Sequence, residues 1–174
     1  MTNYKRIFIV FILFFLAFGI KSYAEVVNKV EVKGNQRITL ETIAMFGDIV
    51  IGKDYESSDI NLLIKKLYET NFFSNISVEL QSGQLSITVE ENPIINLIIF
   101  KGEKARKYTE AISQLLTLRE KTSFMSNYVK TDINIMKEFY RALGHYFVKI
   151  DLELEKLSKN RVNLVYSIDK GEKA

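Results

Sequence analysis

Cysteine is absent, histidine and proline occur once each, and those scarcities set the first limits on function. Without cysteine there is neither a disulfide framework nor a thiolate metal site. A single imidazole, His145, leaves no partnered histidine for zinc and only one candidate base for a nucleophilic triad. It follows Gly144, a plausible helix stop, so packing at a helix end is its expected role. Gly34, Gly47 and Gly52 lack the Lys-Ser/Thr context of a phosphate cradle. Glu90-Glu91 and Asp151-x-Glu153-x-Glu155 resemble acid/base pairs only superficially. The second set recurs at i, i+2, i+4, which is the solvated face of a strand. The expectation is a protein without catalytic residues, metal, cofactor or small-molecule substrate.

Long hydrophobic runs are also missing, apart from one. Lys5 and Arg6 precede the 14-residue apolar run Ile7–Ile20, and Ser22-Tyr23-Ala24 supplies small residues at −3 and −1. That is the layout of a secretory signal, with cleavage expected between Ala24 and Glu25. The alternative, an uncleaved anchor, wants ~20 apolar residues to span the bilayer, and this run is shorter. The signal also carries the charge imbalance. Lys5, Arg6 and Lys21 account for three of 24 basic residues, so the remaining 21 balance the 21 acidic ones. A neutral exported chain makes no electrostatic case for nucleic acid or anionic lipid.

What is present is a repeat. The first copy reads VNKVEVKGN at Val27–Asn35, LLIKKLYETNFFSNISVEL at Leu62–Leu80 and LSITVEENP at Leu85–Pro93. The second reads INLIIFKGE at Ile95–Glu103, IMKEFYRALGHYFVKIDLEL at Ile135–Leu154 and VNLVYSIDKG at Val162–Gly171.

Lys29–Lys33 alternates as a half-buried strand should, and Gly34-Asn35 breaks it. Helices are predicted over Thr39–Phe46, stopped by Gly47, and after a cap at Ser57 or Ser58, with Gly52–Tyr55 a loop between them. The second helix carries Ile60, Leu63, Ile64, Leu67 and Tyr68 in one stripe and ends at Asn71. Ile76–Gln81 and Leu85–Glu90 alternate around Ser82-Gly83, which predicts a hairpin with one dry and one wet face. Pro93 suits a short stiff seam. In the second copy, Ile95, Ile98 and Phe100 open a strand. Helices are expected within Lys107–Leu118 and from about Asn127 to Leu143. A second hairpin turns at Ser158-Lys159-Asn160.

Phe72, Phe73, Tyr140, Tyr146 and Phe147 fall at helix-to-strand corners, where large aromatics close small cores. One ring of each adjacent pair is expected to point outward, as a second choice of binding surface.

The fold class is therefore α+β: two tandem β-α-α-β-β units, each a three-stranded mixed sheet covered by two helices. The divisions are 1–24 signal, 25–93 first unit, 94–171 second unit and 172–174 the start of a linker. If each third strand lies centrally beside the first, the second strands become open edges. Candidate edge residues are Ile76, Ser77, Val78, Glu79 and Leu80, then Val148, Lys149, Ile150, Asp151 and Leu152.

V-x-V-x-G-N, L-Y-x-T-x-x-F and V-x-E-x-P, in that order and followed by a second copy, resemble the POTRA family over Val27–Gly171. Asn71 stands where the family usually has glycine, and Glu103 where it usually has asparagine after Gly102. The resemblance implies the periplasmic arm of an outer-membrane protein-assembly insertase. Such an arm receives unfolded outer-membrane β-barrel proteins and meets periplasmic chaperones and accessory assembly lipoproteins. It also implies further repeats and a C-terminal membrane barrel, so the chain reads as part of a longer protein. Other POTRA bearers, translocation-and-assembly or two-partner secretion transporters, remain open. So does an inner-membrane division scaffold, which the short apolar run and the second repeat disfavour.

Overall fold

The computed structural model describes residues 24–173. The segment read as an export signal lies outside them except for Ala24. The first unit begins with β1 (Glu25–Val26), β2 (Lys29–Lys33), α1 (Leu40–Phe46), β3 (Asp54–Tyr55) and α2 (Ser57–Glu69), and ends with β4 (Phe73–Gln81) and β5 (Gln84–Glu91). The second comprises β6 (Ile94–Lys101), α3 (Arg106–Leu115), a 3-10 turn at Ser126–Tyr128, α4 (Val129–Ala142), β7 (Lys149–Leu157) and β8 (Arg161–Asp169).

Local chemistry sets most boundaries. Thr39 caps α1 by accepting the Thr42 N–H, and Gly47 closes it. The cap of α2 is Glu56 rather than Ser57 or Ser58. There a capping box closes the turn: the Glu56 side chain accepts from the Asp59 backbone, and the Asp59 carboxylate accepts the Glu56 N–H at 3.0 Å. Asn71 (φ 60°) and Gly144 (φ 91°) end the long helices in the left-handed region. Ser82 and Gly83 both have positive φ, the two-residue type I′ loop that matches strand twist.

The main sheet of each unit has three strands, in the orders β2-β5-β4 and β6-β8-β7. The last strand of each unit is central, parallel to the first and antiparallel to the second. Asp54–Tyr55, expected as loop, pairs instead with Glu25–Val26. Val27 is fully buried just behind that pair, so the chain is tied down from its first described residues.

Two separate cores result. Ile43, Leu63, Leu67, Leu85 and Ile87 centre the first, and Ile95, Ile112, Met136, Tyr140, Leu164 and Tyr166 the second. Tyr68, placed by periodicity on the inward stripe of α2, is 41% exposed. Leu116 and Leu118, just past α3, are buried with the second core.

Candidate functional site: two sheet edges

Because β5 and β8 are central, β4 and β7 each bond a neighbour on one side only. In β4 the turn fixes which groups face outward. Gln81 and Gln84 close the hairpin as a hydrogen-bonded pair, so Glu79/Ser86 and Ser77/Thr88 are hydrogen-bonded pairs too. Ile76, Val78 and Leu80 consequently turn their N–H and C=O groups away from β5. The Ile76 N–H is taken by the Tyr68 hydroxyl at 3.1 Å. Val78 and Leu80 carry the open donors of this edge.

The expected edge residues fall in place with one correction. Ile76, Ser77, Val78, Glu79 and Leu80 all lie within β4, and Lys149, Ile150, Asp151 and Leu152 within β7. Val148 precedes β7 and is buried. It fills the corner that the longer Gly144-to-Lys149 connection creates.

Each edge adjoins a groove. One of about 290 Å³ is lined by Leu80 of β4, Ile60 and Asn61 of α2, and Glu25, Tyr55 and Glu56. The other, about 380 Å³, lies at the seam between the units. Ser74 and Glu90 line one side of it and Leu154, Lys156 and Leu157 of β7 the other. The seam is held by the Phe124 N–H to the Pro93 carbonyl at 2.8 Å and the Asn160 side-chain amide to the Glu91 carbonyl at 3.0 Å.

The remaining edges differ. At β6, the Ile95 N–H donates to the Thr122 carbonyl, the Lys121 N–H to the Ile95 carbonyl, and the Ile98 N–H to the Glu120 carboxylate. Residues 120–122 therefore cover that edge. β2 is short, five residues. An open edge flanked by grooves is what strand addition needs: backbone bonds for affinity and recesses for alternate side chains.

The repeat also shares a backbone device. Gly34 and Gly102 follow the first strand of each unit with φ of 82° and 91°. A Cβ on either would lie 2.1 Å from a carbonyl oxygen of the central strand, Val89 or Ile168. Only glycine tolerates both the angle and the approach.

Residues 93–171 match the model of the family described as POTRA, surface antigen variable number repeat. The chain therefore carries a POTRA domain over its second unit. It is similar to the outer membrane protein assembly factor BamA of Neisseria meningitidis serogroup B, 30% identical over 85% of this chain and 19% of that protein. It is also similar to BamA of Neorickettsia risticii, 24% identical over 86% of this chain and 20% of the relative. The chain thus spans about a fifth of the length of these relatives. Among solved structures, the N-terminal domain of Omp85 from Thermosynechococcus elongatus superposes with a TM-score of 0.52. At 12% identity over 83% of this chain and 63% of that one, this likeness concerns the fold alone.

The two units treat their aromatic corners differently. Phe72 and Phe73 both turn inward, Phe73 buried and Phe72 against Phe46 at 5.6 Å between ring centres. Tyr146 and Phe147 both turn outward, Phe147 79% exposed. The expectation of one outward ring per pair is overturned in both units. α1 offers Phe46 to receive the first pair, whereas Val148 occupies the second corner. His145 packs its ring edge-on against Tyr140 at the end of α4.

Sequence reasoning missed three buried carboxylates. The Oε1 atom of Glu91 accepts the N–H groups of Gln36, Arg37 and Ile38 at 2.7, 2.9 and 3.0 Å, and Arg37 Nε lies 3.0 Å from Oε2. Burial would raise its pKa, but these donors outweigh burial and hold it below the usual carboxylate value. Glu103 accepts from the Ala105 N–H, the Tyr140 hydroxyl and Lys170, and is lowered by the same balance. Asp132 takes the N–H groups of Thr117 and Leu118 at 2.7 and 2.9 Å.

Glu91 and Lys170 occupy equivalent positions at the ends of the central strands, as do Asn35 and Glu103 after the glycines. The carboxylate has changed sides between units. This is the structural sense of glutamate after Gly102: it pairs with Lys170 where the first unit uses Glu91.

Proposed function

We propose that this chain is the periplasmic POTRA region of an outer-membrane protein-assembly insertase. It receives unfolded β-barrel proteins by strand addition at β4 and β7 and docks accessory subunits, at the periplasmic face of the outer membrane. The observation that carries the reading is the pair of single-sided strands, each beside a groove. Similarity to two BamA proteins supports the choice of machine. Backbone recognition suits a receptor for many clients, because it reads extension and alternation rather than a fixed sequence. The exposed acidic residues Asp151 and Glu153 on β7 also keep the free edge from self-pairing into aggregates.

The test is titration of a peptide from an unfolded outer-membrane barrel into the isotope-labelled chain beginning at Glu25. The Val78 and Leu80 amides should shift together with amides of β7. Unshifted amides on both edges would remove the strand-addition reading.

A further inference from the structure

The faces of the two sheets that turn away from the helices are built from equivalent positions, yet their chemistry differs. In the first unit the register aligns Lys29, Gln84 and Gln81, then Glu31, Ser86 and Glu79, then Lys33, Thr88 and Ser77. Every one of the nine is polar, as a solvated face should be.

In the second unit the same rows read Leu97, Asn163 and Glu155; Ile99, Val165 and Glu153; Lys101, Ser167 and Asp151. Leu97 is 46% exposed on a face with no helical cover among the described residues, half-buried Ile99 lies two residues on, and Val165 between Ile99 and Glu153 is already buried at 3%. The bulge between Ile95 and Leu97 brings Asn96 onto this face, where its amide bonds the Asn163 side chain at 2.9 Å. Along β7 stand Asp151, Glu153 and Glu155, all exposed. None forms an ion pair among the described residues, and Glu155 only accepts from the Asn163 amide. Lys101 and Arg161 stand on the other two strands, and Lys149 ends the acidic column two residues before Asp151.

We infer that this open face is the seat of a basic amphipathic helix from a partner protein. β8 is paired on both sides, so the face offers side chains and no free backbone groups. An extended segment would gain nothing there, whereas a helix satisfies its own backbone and covers an apolar sheet face by packing. Leu97 to Lys101 runs about 13 Å along the strand, which about nine helical residues span. The occupant therefore carries aliphatic side chains at i, i+3, i+4 and i+7 over exposed Leu97 and half-buried Ile99. Lysines or arginines on one flank meet Glu153 and Glu155. Electrostatic complementarity of this kind sets orientation and steers association. The inference does not depend on strand addition, since the residues it uses present their side chains on the face and leave both edges intact.

The probe is a synthetic amphipathic helix of about 14 residues with a leucine stripe and lysines along one flank. It is titrated by fluorescence anisotropy into the chain beginning at Glu25. Binding should weaken at least tenfold in Leu97→Asp and in the double variant Glu153→Lys/Glu155→Lys. All three positions are exposed, and circular dichroism checks that both variants fold. The double variant should instead prefer a peptide whose lysines are replaced by glutamates, a switch that misfolding cannot produce. Raising salt from 50 to 500 mM should weaken wild-type binding several-fold. Equal binding of lysine and glutamate peptides to the wild-type chain would overturn the inference. So would amide shifts confined to β4 or the outer edge of β7, or sedimentation showing that a second copy of the chain occupies this face.

Discussion

Replacing Glu91 by glutamine changes one oxygen to an amide nitrogen at a site where sheet, loop and seam meet. The side chain is 1% exposed and its Oε1 atom holds three consecutive N–H groups at 2.7–3.0 Å. Arg37 adds an ion pair and also donates to the Asn92 carbonyl at 3.0 Å. Hydrogen bonds to a charged acceptor contribute about 1.5–3 kcal/mol each, against about 0.5–1.5 for neutral ones. Glutamine keeps one acceptor oxygen, so the loss is the charged increment over three bonds, about 3–4.5 kcal/mol in total. Glu90→Gln, on the exposed neighbour, should cost within about 0.5 kcal/mol.

Urea unfolding followed through methyl signals of Ile43 and Ile87 isolates the first unit from the second. The sign of the pH dependence follows from the lowered pKa. The charge contributes fully above the unfolded value near 4.3 and is lost as pH falls through the lower folded value. The gap between wild type and Glu91→Gln should be flat from about pH 6 to 8 and shrink below about pH 4. A variant no weaker than Glu90→Gln, or a gap that widens in acid, would refute the reasoning.

Gly102→Ala should destabilise the second unit by at least about 3 kcal/mol, because a Cβ would sit 2.1 Å from the Ile168 carbonyl oxygen. Gly52→Ala meets nothing within 4 Å and should cost only the positive-φ penalty, about 1–2 kcal/mol, by the same denaturation assay. Tyr140→Phe removes the 2.9 Å donor to Glu103 in a buried site, for a loss of about 1–3 kcal/mol seen in the thermal midpoint. Phe73→Ala should cost about 3–5 kcal/mol, and Phe147→Ala close to nothing, which separates a core ring from a surface ring.

Periodicity carried the architecture: strict alternation at Lys29–Lys33 and around Ser82-Gly83 is specific because a strand half buried on one face permits little else. The open edges followed from topology, once the last strand of each unit was placed beside the first. What periodicity could not show is where tertiary context decides. A two-residue pair such as Glu25–Val26 with Asp54–Tyr55 is too short to have a period. Glu91 and Glu103 look like surface glutamates until the glycine turns bring backbone donors to them. Tyr146 and Phe147 differ from Phe72 and Phe73 through corner length and the presence of Phe46, not through their own identity. The apolar outer face was partly legible, since Ile94–Lys101 is hydrophobic at successive positions, unlike the alternating Lys29–Lys33.

The most direct test of strand addition is to silence the backbone of a client without touching its side chains. Two barrel-derived peptides of identical sequence would carry N-methyl groups on alternate residues, in one peptide on the residues facing the β4 edge and in the other on those facing away. The account expects at least a tenfold weaker affinity for the first and an unchanged affinity for the second. Equal affinities would mean that clients are held by side chains alone, and the edges would lose their proposed role.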